Sequence, residues 1–198
     1  MRTNQWFEKG RHTQDPIKAL KWYRMAAKTD PNMSPAFHNC GLMLFYQGKY
    51  KEAIPQFEKA AELAIPLGDH RSRSSQMMLV SSWTMLGDFD RAEKHAQLAK
   101  QLPGPDAELR YAVLQLRVAQ GRAAEAIDEL KHWHMLDPSN LELKYALATA
   151  YAGIGQQDLA IITLTQVLQV AQQANPPQLY FFVNQWQKKL QTWQQKIK

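Results

Sequence analysis

The side chains able to do chemistry are few and scattered. Six histidines stand at positions 12, 38, 70, 95, 132 and 134, and the chain of 198 residues has one cysteine, Cys40. His132 and His134 flank Trp133 in a helical pattern; two positions apart on a helix they point to roughly opposite faces and cannot share a metal ion. A single cysteine forms no internal disulfide and no multi-cysteine zinc site. No H-E-x-x-H, G-x-S-x-G or G-x-x-x-x-G-K-[ST] pattern is present, so zinc hydrolysis, serine acyl transfer and P-loop phosphate binding have no motif behind them. Carboxylates such as those of DFDRAE (88–93) sit at helix starts, where they favour the helix dipole. No catalytic residue, metal or cofactor is expected, and the chain reads as non-enzymatic.

The elements that carry these residues repeat. Glycine followed five residues later by alanine recurs as GKYKEA (48–53), GDFDRA (87–92), GRAAEA (121–126) and GQQDLA (155–160), with glycine spacings of 39, 34 and 34. A looser variant, GRHTQDPIKA, runs from Gly10 to Ala19. Each glycine lies between two segments of 3.6-residue periodicity. Before Gly48 stand Phe37, Cys40, Leu44 and Phe45; after it stand Ala53, Phe57, Ala60 and Leu63. The glycine is expected to supply the backbone of a tight helix–helix turn, and the alanine to let two helices approach closely. Ser34 before Pro35, Asn175 before Pro176 and Pro177, and Ser139 with Glu142 as a capping box mark helix starts. The stretch Ile65–Arg73 reads as a lengthened helix and loop. Only nine glycines and ten prolines argue against a turn-dense all-β fold.

A unit of 34 residues built this way resembles the tetratricopeptide repeat (TPR). Gly41, Gly48, Tyr50, Ala53, Phe57 and Ala60 match the family's pattern best, and Ala19, Tyr23, Ala26, Ala92, Ala99, Ala126, Pro138, Ala148, Tyr151 and Ala160 extend it. Leu114, Arg117 and Trp133 depart from it. The resemblance covers about residues 1–173 and implies an all-α, right-handed TPR-type solenoid with a C-terminal capping helix. The units fall at about 1–33, 34–72, 73–106, 107–140 and 141–174, with the terminal helix over 175–198. The first unit's leading helix is short, with Trp6 and Phe7 as its apolar content, and is expected to fray. Cys40 stands at a buried leucine position of the family, which implies an inert packing thiol.

The resemblance also implies where a partner binds. In the family, the first helix of each pair lines a concave groove, which here places His38, Leu42, Phe45, Met77, Ser81, Tyr111, Gln115, Tyr145 and Thr149 in it. Their mixture of aromatic, apolar and small polar groups suits a peptide, so the expected function is a protein-binding scaffold or adaptor. TPR domains that hold chaperone C-termini use lysine, asparagine and arginine as a carboxylate clamp. At the corresponding places this chain shows His38, Leu42, Asn39, Ser74 and Met78, so that sub-function is not expected.

Charge is uneven. Lys plus Arg number 24 against 18 acids; residues 1–30 hold seven bases and three acids, and residues 176–198 hold four lysines and no acid. Solvated basic ends explain this, with binding of an acidic partner or nucleic acid through those ends as the alternative. The terminal segment repeats Leu179, Phe182, Val183, Trp186, Leu190, Trp193 and Ile197 at helical spacing. It reads as a capping helix; the alternative is that its far end exposes Trp193 and Ile197 for contact with a second copy. No apolar run approaches the roughly 20 residues of a membrane span. The N-terminus lacks an apolar leader core, so the expected location is cytoplasmic; a periplasmic protein with its leader removed would read the same.

Overall fold

Each glycine hexapeptide closes a helical hairpin. Gly48, Gly87, Gly121 and Gly155 have φ of 73°, 77°, 80° and 80°, the left-handed region that other residues enter only at a cost. The computed structural model describes residues 2–65, 70–104, 106–174 and 180–195, and every regular element among them is a helix. In chain order these are α1 (Arg2–Arg11), α2 (Pro16–Thr29), α3 (Ser34–Tyr46), α4 (Tyr50–Ala64), α5 (His70–Leu86), α6 (Phe89–Lys100), α7 (Asp106–Ala119), α8 (Ala123–Leu136), α9 (Leu141–Gly153), α10 (Gln157–Ala174) and α11 (Tyr180–Gln195). They form two compact units, Met1–Ala112 and Val113–Lys198.

In the first unit α1 to α6 pack in sequence, each on the next, and α3 also touches α5. Alanines make this possible: Ala19, Ala26, Ala53, Ala60, Ala92 and Ala99 are all buried, and a methyl group lets helix axes approach. Two close approaches need glycine. A Cβ on Gly41 would lie 2.6 Å from the Phe57 ring, and one on Gly10 would lie 2.6 Å from the Tyr23 ring. Gly10 therefore sits inside α1 as a packing glycine; the sequence pattern had paired it with the turn glycines. The short α1 does not depend on its own propensity. Trp6 stacks on Trp22 at 5.4 Å, Phe7 meets Tyr23 at 5.5 Å, and the Lys9 ammonium lies 4.8 Å and 5.1 Å from the two indole centroids.

Several helix starts differ from expectation. Ser34 is inside α3, and its buried hydroxyl donates to the Ala60 carbonyl at 2.9 Å, tying α3 to α4. Asn140, rather than Ser139, caps α9 by accepting from the Leu143 N–H at 3.0 Å. Asp15 and Asp88 cap α2 and α6 with their side chains. α5 begins at His70, so Arg71 and Arg73 are helical where a loop was expected. Asn175, Pro176 and Pro177 lie outside the described residues.

In the second unit α8, α9, α10 and α11 pack consecutively. α11 covers the last pair by burying Trp186 and Trp193 with Ala148, Leu164, Leu168 and Ala171. The alternative of an exposed Trp193 is thus corrected: it is 8% exposed, because α11 lies along α10 and turns Trp186, Leu190 and Trp193 toward the same core. Ile197 lies outside the described residues. Lys189 closes the arrangement. Its ammonium donates to the Tyr145 hydroxyl at 3.2 Å and lies 5.5 Å from the Trp193 ring centroid.

Candidate functional site

Three first-position helices of the first unit, α1, α3 and α5, bring polar side chains to one open groove of about 510 Å³, lined by Phe7, Arg11, Tyr23, Pro35, Asn39 and Arg71. Arg11 comes from the last turn of α1 and pairs with Glu8 at 3.1 Å, with side-chain exposures of 58% and 47%. An exposed pair of that kind contributes little, so a ligand carboxylate can compete for the guanidinium. Arg71 comes from the first turn of α5. Asn39 comes from the middle of α3, half-buried, and its amide has no hydrogen-bond partner among the described residues. Burial pushes the Tyr23 hydroxyl above its ordinary range, with the nearby Arg11 charge acting the other way, so it stays protonated at neutral pH. Phe7 and Pro35 supply the apolar wall.

This donor set offers positive charge and hydrogen bonds. The histidine–serine contact in this unit, His38 Nδ1 to Ser75 Oγ at 2.9 Å, is structural. Ser75 is fully buried, and burial lowers the His38 pKa to about 4, so the ring is neutral and fixed against Phe57 at 5.6 Å. Burial pushes the Cys40 thiol up to about 12, which removes its nucleophilic form at neutral pH. Among the described residues no group of histidine, cysteine and carboxylate side chains could hold a metal ion.

The nine residues assigned to the groove from sequence separate between the two units. In the first unit, Phe45 and Met77 are core residues; Phe45 packs on Tyr50 at 5.1 Å. Their assignment to a binding surface is corrected, since the helix faces that carry them turn toward neighbouring helices. His38, Leu42, Ser81 and Tyr111 are half-buried. In the second unit, Gln115 and Thr149 are half-buried, and Thr149 donates to the Tyr145 carbonyl at 3.0 Å. Tyr145 is taken by the terminal helix: it stacks on Trp186 at 4.9 Å beneath Lys189. None of the nine lines the groove described above. Arg11 and Arg71 were missed. Both lie in segments where the repeat register is broken, the short first helix and the inserted residues before α5.

Similarity to known proteins agrees with this architecture. Two tetratricopeptide repeat family models match, over residues 34–65 and 117–179. The human DnaJ homolog subfamily C member 3 is 25% identical over 142 residues, covering 67% of this chain and 28% of that protein. The chain therefore spans well under half the length of that relative. Among solved structures, TTC0263, a thermophilic TPR protein of Thermus thermophilus, is similar with a TM-score of 0.62 and 18% identity, covering 90% of this chain and 93% of that one. The TPR2AB domain of yeast Sti1 in its pHSP90 complex is similar with a TM-score of 0.50 and 15% identity, covering 96% and 98%. The chain carries tetratricopeptide repeats over both matched stretches, and its described helices have the all-α fold of a TPR solenoid.

Proposed function

We propose that this protein is a non-catalytic scaffold that holds an acidic segment of a partner protein in the groove of its first unit. The observation that carries the reading is the convergence of Arg11, Asn39 and Arg71 from three helices. Two guanidinium groups meet the partner's carboxylates, and the unpartnered Asn39 amide meets its backbone. Phe7 and Pro35 pack its apolar groups. The pHSP90 complex of the yeast Sti1 domain supports peptide capture by a related fold. Affinity of about micromolar, near −8 kcal/mol, is expected for a groove this open.

The test is fluorescence polarisation with a labelled acidic peptide bearing a free C-terminus, and with its glutamine-substituted, amidated counterpart. The acidic peptide is expected to bind in a salt-dependent way, and Arg11→Gln and Arg71→Gln each to weaken it by about ten-fold, the worth of a hydrogen bond to a charged group. Equal binding of both peptides, or full affinity in a folded Arg71→Gln variant, would remove the groove from consideration.

A further inference from the structure

The groove uses one side of α2, through Tyr23. The other side has a composition the groove does not explain. Lys18, Lys21, Arg24 and Lys28 share one arc of α2 at about 100° per residue, and this helix contains no acidic residue. Arg24 and Lys28 make no side-chain hydrogen bond or ion pair among the described residues, the Arg24 charge acting only on the nearby Cys40 thiol. Lys18 makes one exposed contact with the cap Asp15 at 3.9 Å, and Lys21 lies 5.2 Å from the Trp22 ring centroid. Within this ring of cations two aliphatic side chains face solvent, Ile17 at 62% and Met25 at 38% exposure.

We infer that this face of α2 docks on an anionic phospholipid bilayer, with the four cations among the headgroups and Ile17 and Met25 at the level where the acyl chains begin. Charge complementarity selects an acidic surface, and the aliphatic pair selects among acidic surfaces. Phosphates of a nucleic acid gain nothing from exposed isoleucine and methionine, whereas a basic amphipathic face of this composition adsorbs at a lipid interface. Base stacking is also poorly served, because the Trp22 ring is already covered by Trp6 and by two lysines. The contact is adsorption, since no helix among the described residues is long and apolar enough to cross a membrane.

The experiment is co-sedimentation of the full chain with vesicles of mixed phosphatidylserine and phosphatidylcholine, against vesicles of phosphatidylcholine alone. The wild type is expected to sediment with the mixed vesicles only, and less as salt rises. The variant Lys21→Gln/Arg24→Gln/Lys28→Gln should lose about 100-fold in partitioning, at about five-fold for each cation. The variant Ile17→Ser/Met25→Ser keeps every charge and should lose about ten-fold. All five positions are solvent-exposed, and circular dichroism checks that both variants fold. Wild type left in the supernatant overturns the inference, as does either variant sedimenting like wild type. So does a preference of the wild type for single-stranded homopolymer RNA over the vesicles, which would assign the face to nucleic-acid phosphates. Both variants retain Arg11 and Arg71, so failure here leaves peptide capture in the groove separately testable.

Discussion

Lowering the pH should unfasten the first unit at His38, by an amount the structure specifies. The imidazole sits between Ser75 and Phe57, and burial lowers its pKa from 6.5 to about 4. The folded state thus disfavours the charged ring. Above pH 6.5 the ring is neutral in both states and contributes no pH dependence. Between about 6.5 and 4 the unfolded chain binds the proton and the folded chain does not, so stability falls as pH falls. Below about 4 the loss is complete, at most about 3 kcal/mol. At pH 5 the same two values give about 2 kcal/mol relative to pH 8. Urea melts of wild type and His38→Gln at both pH values isolate this contribution, because every other titration is common to the two proteins. The wild-type midpoint should fall by about 1 M more than the variant's. Equal losses would show that His38 titrates normally and that its burial does not control its charge.

Two further outcomes probe the packing. Gly41→Ala puts a methyl group 2.6 Å from the fully buried Phe57 ring and should destabilise the first unit by about 1–3 kcal/mol despite the better helix propensity of alanine; Phe57→Leu in the same chain should recover part of that loss in a thermal melt. Trp186→Ala removes the ring on which Tyr145 stacks and should cost the second unit about 3–5 kcal/mol, read by hydrogen exchange as faster opening of α11, with α1 to α6 unchanged.

The repeat was legible because it rests on local chemistry. A turn that demands positive φ selects glycine, and close helix crossings select alanine, so Gly48, Gly87, Gly121 and Gly155 could be found by spacing alone. The candidate site was less legible because it depends on register. Phe45 and Met77 are apolar on the first helix of their pairs, and sequence does not say whether such a residue faces a neighbouring helix or a partner. Arg11 and Arg71 were hidden for another reason. The first belongs to a helix of ten residues held by aromatic contacts with α2, and the second follows inserted residues that displace the repeat by several positions. Caps failed by one residue at Ser34 and Ser139, since Ser34 found a more distant acceptor in the Ala60 carbonyl and Asn140 offered a better cap.

Lys189 bears on a hazard that any helical array faces. The two ends of a repeat stack are complementary, so nothing in the repeat itself prevents copies from joining head to tail into an open filament. Lys189 fastens α11 over the last helix pair through the Tyr145 hydroxyl and two aromatic rings, and the side of α11 turned to solvent is then polar, with Asn184, Gln185, Lys188 and Gln191 exposed. A copy stacking there would strip water from those groups without replacing their hydrogen bonds. The cation thus acts as a latch for the polar face that opposes polymerisation.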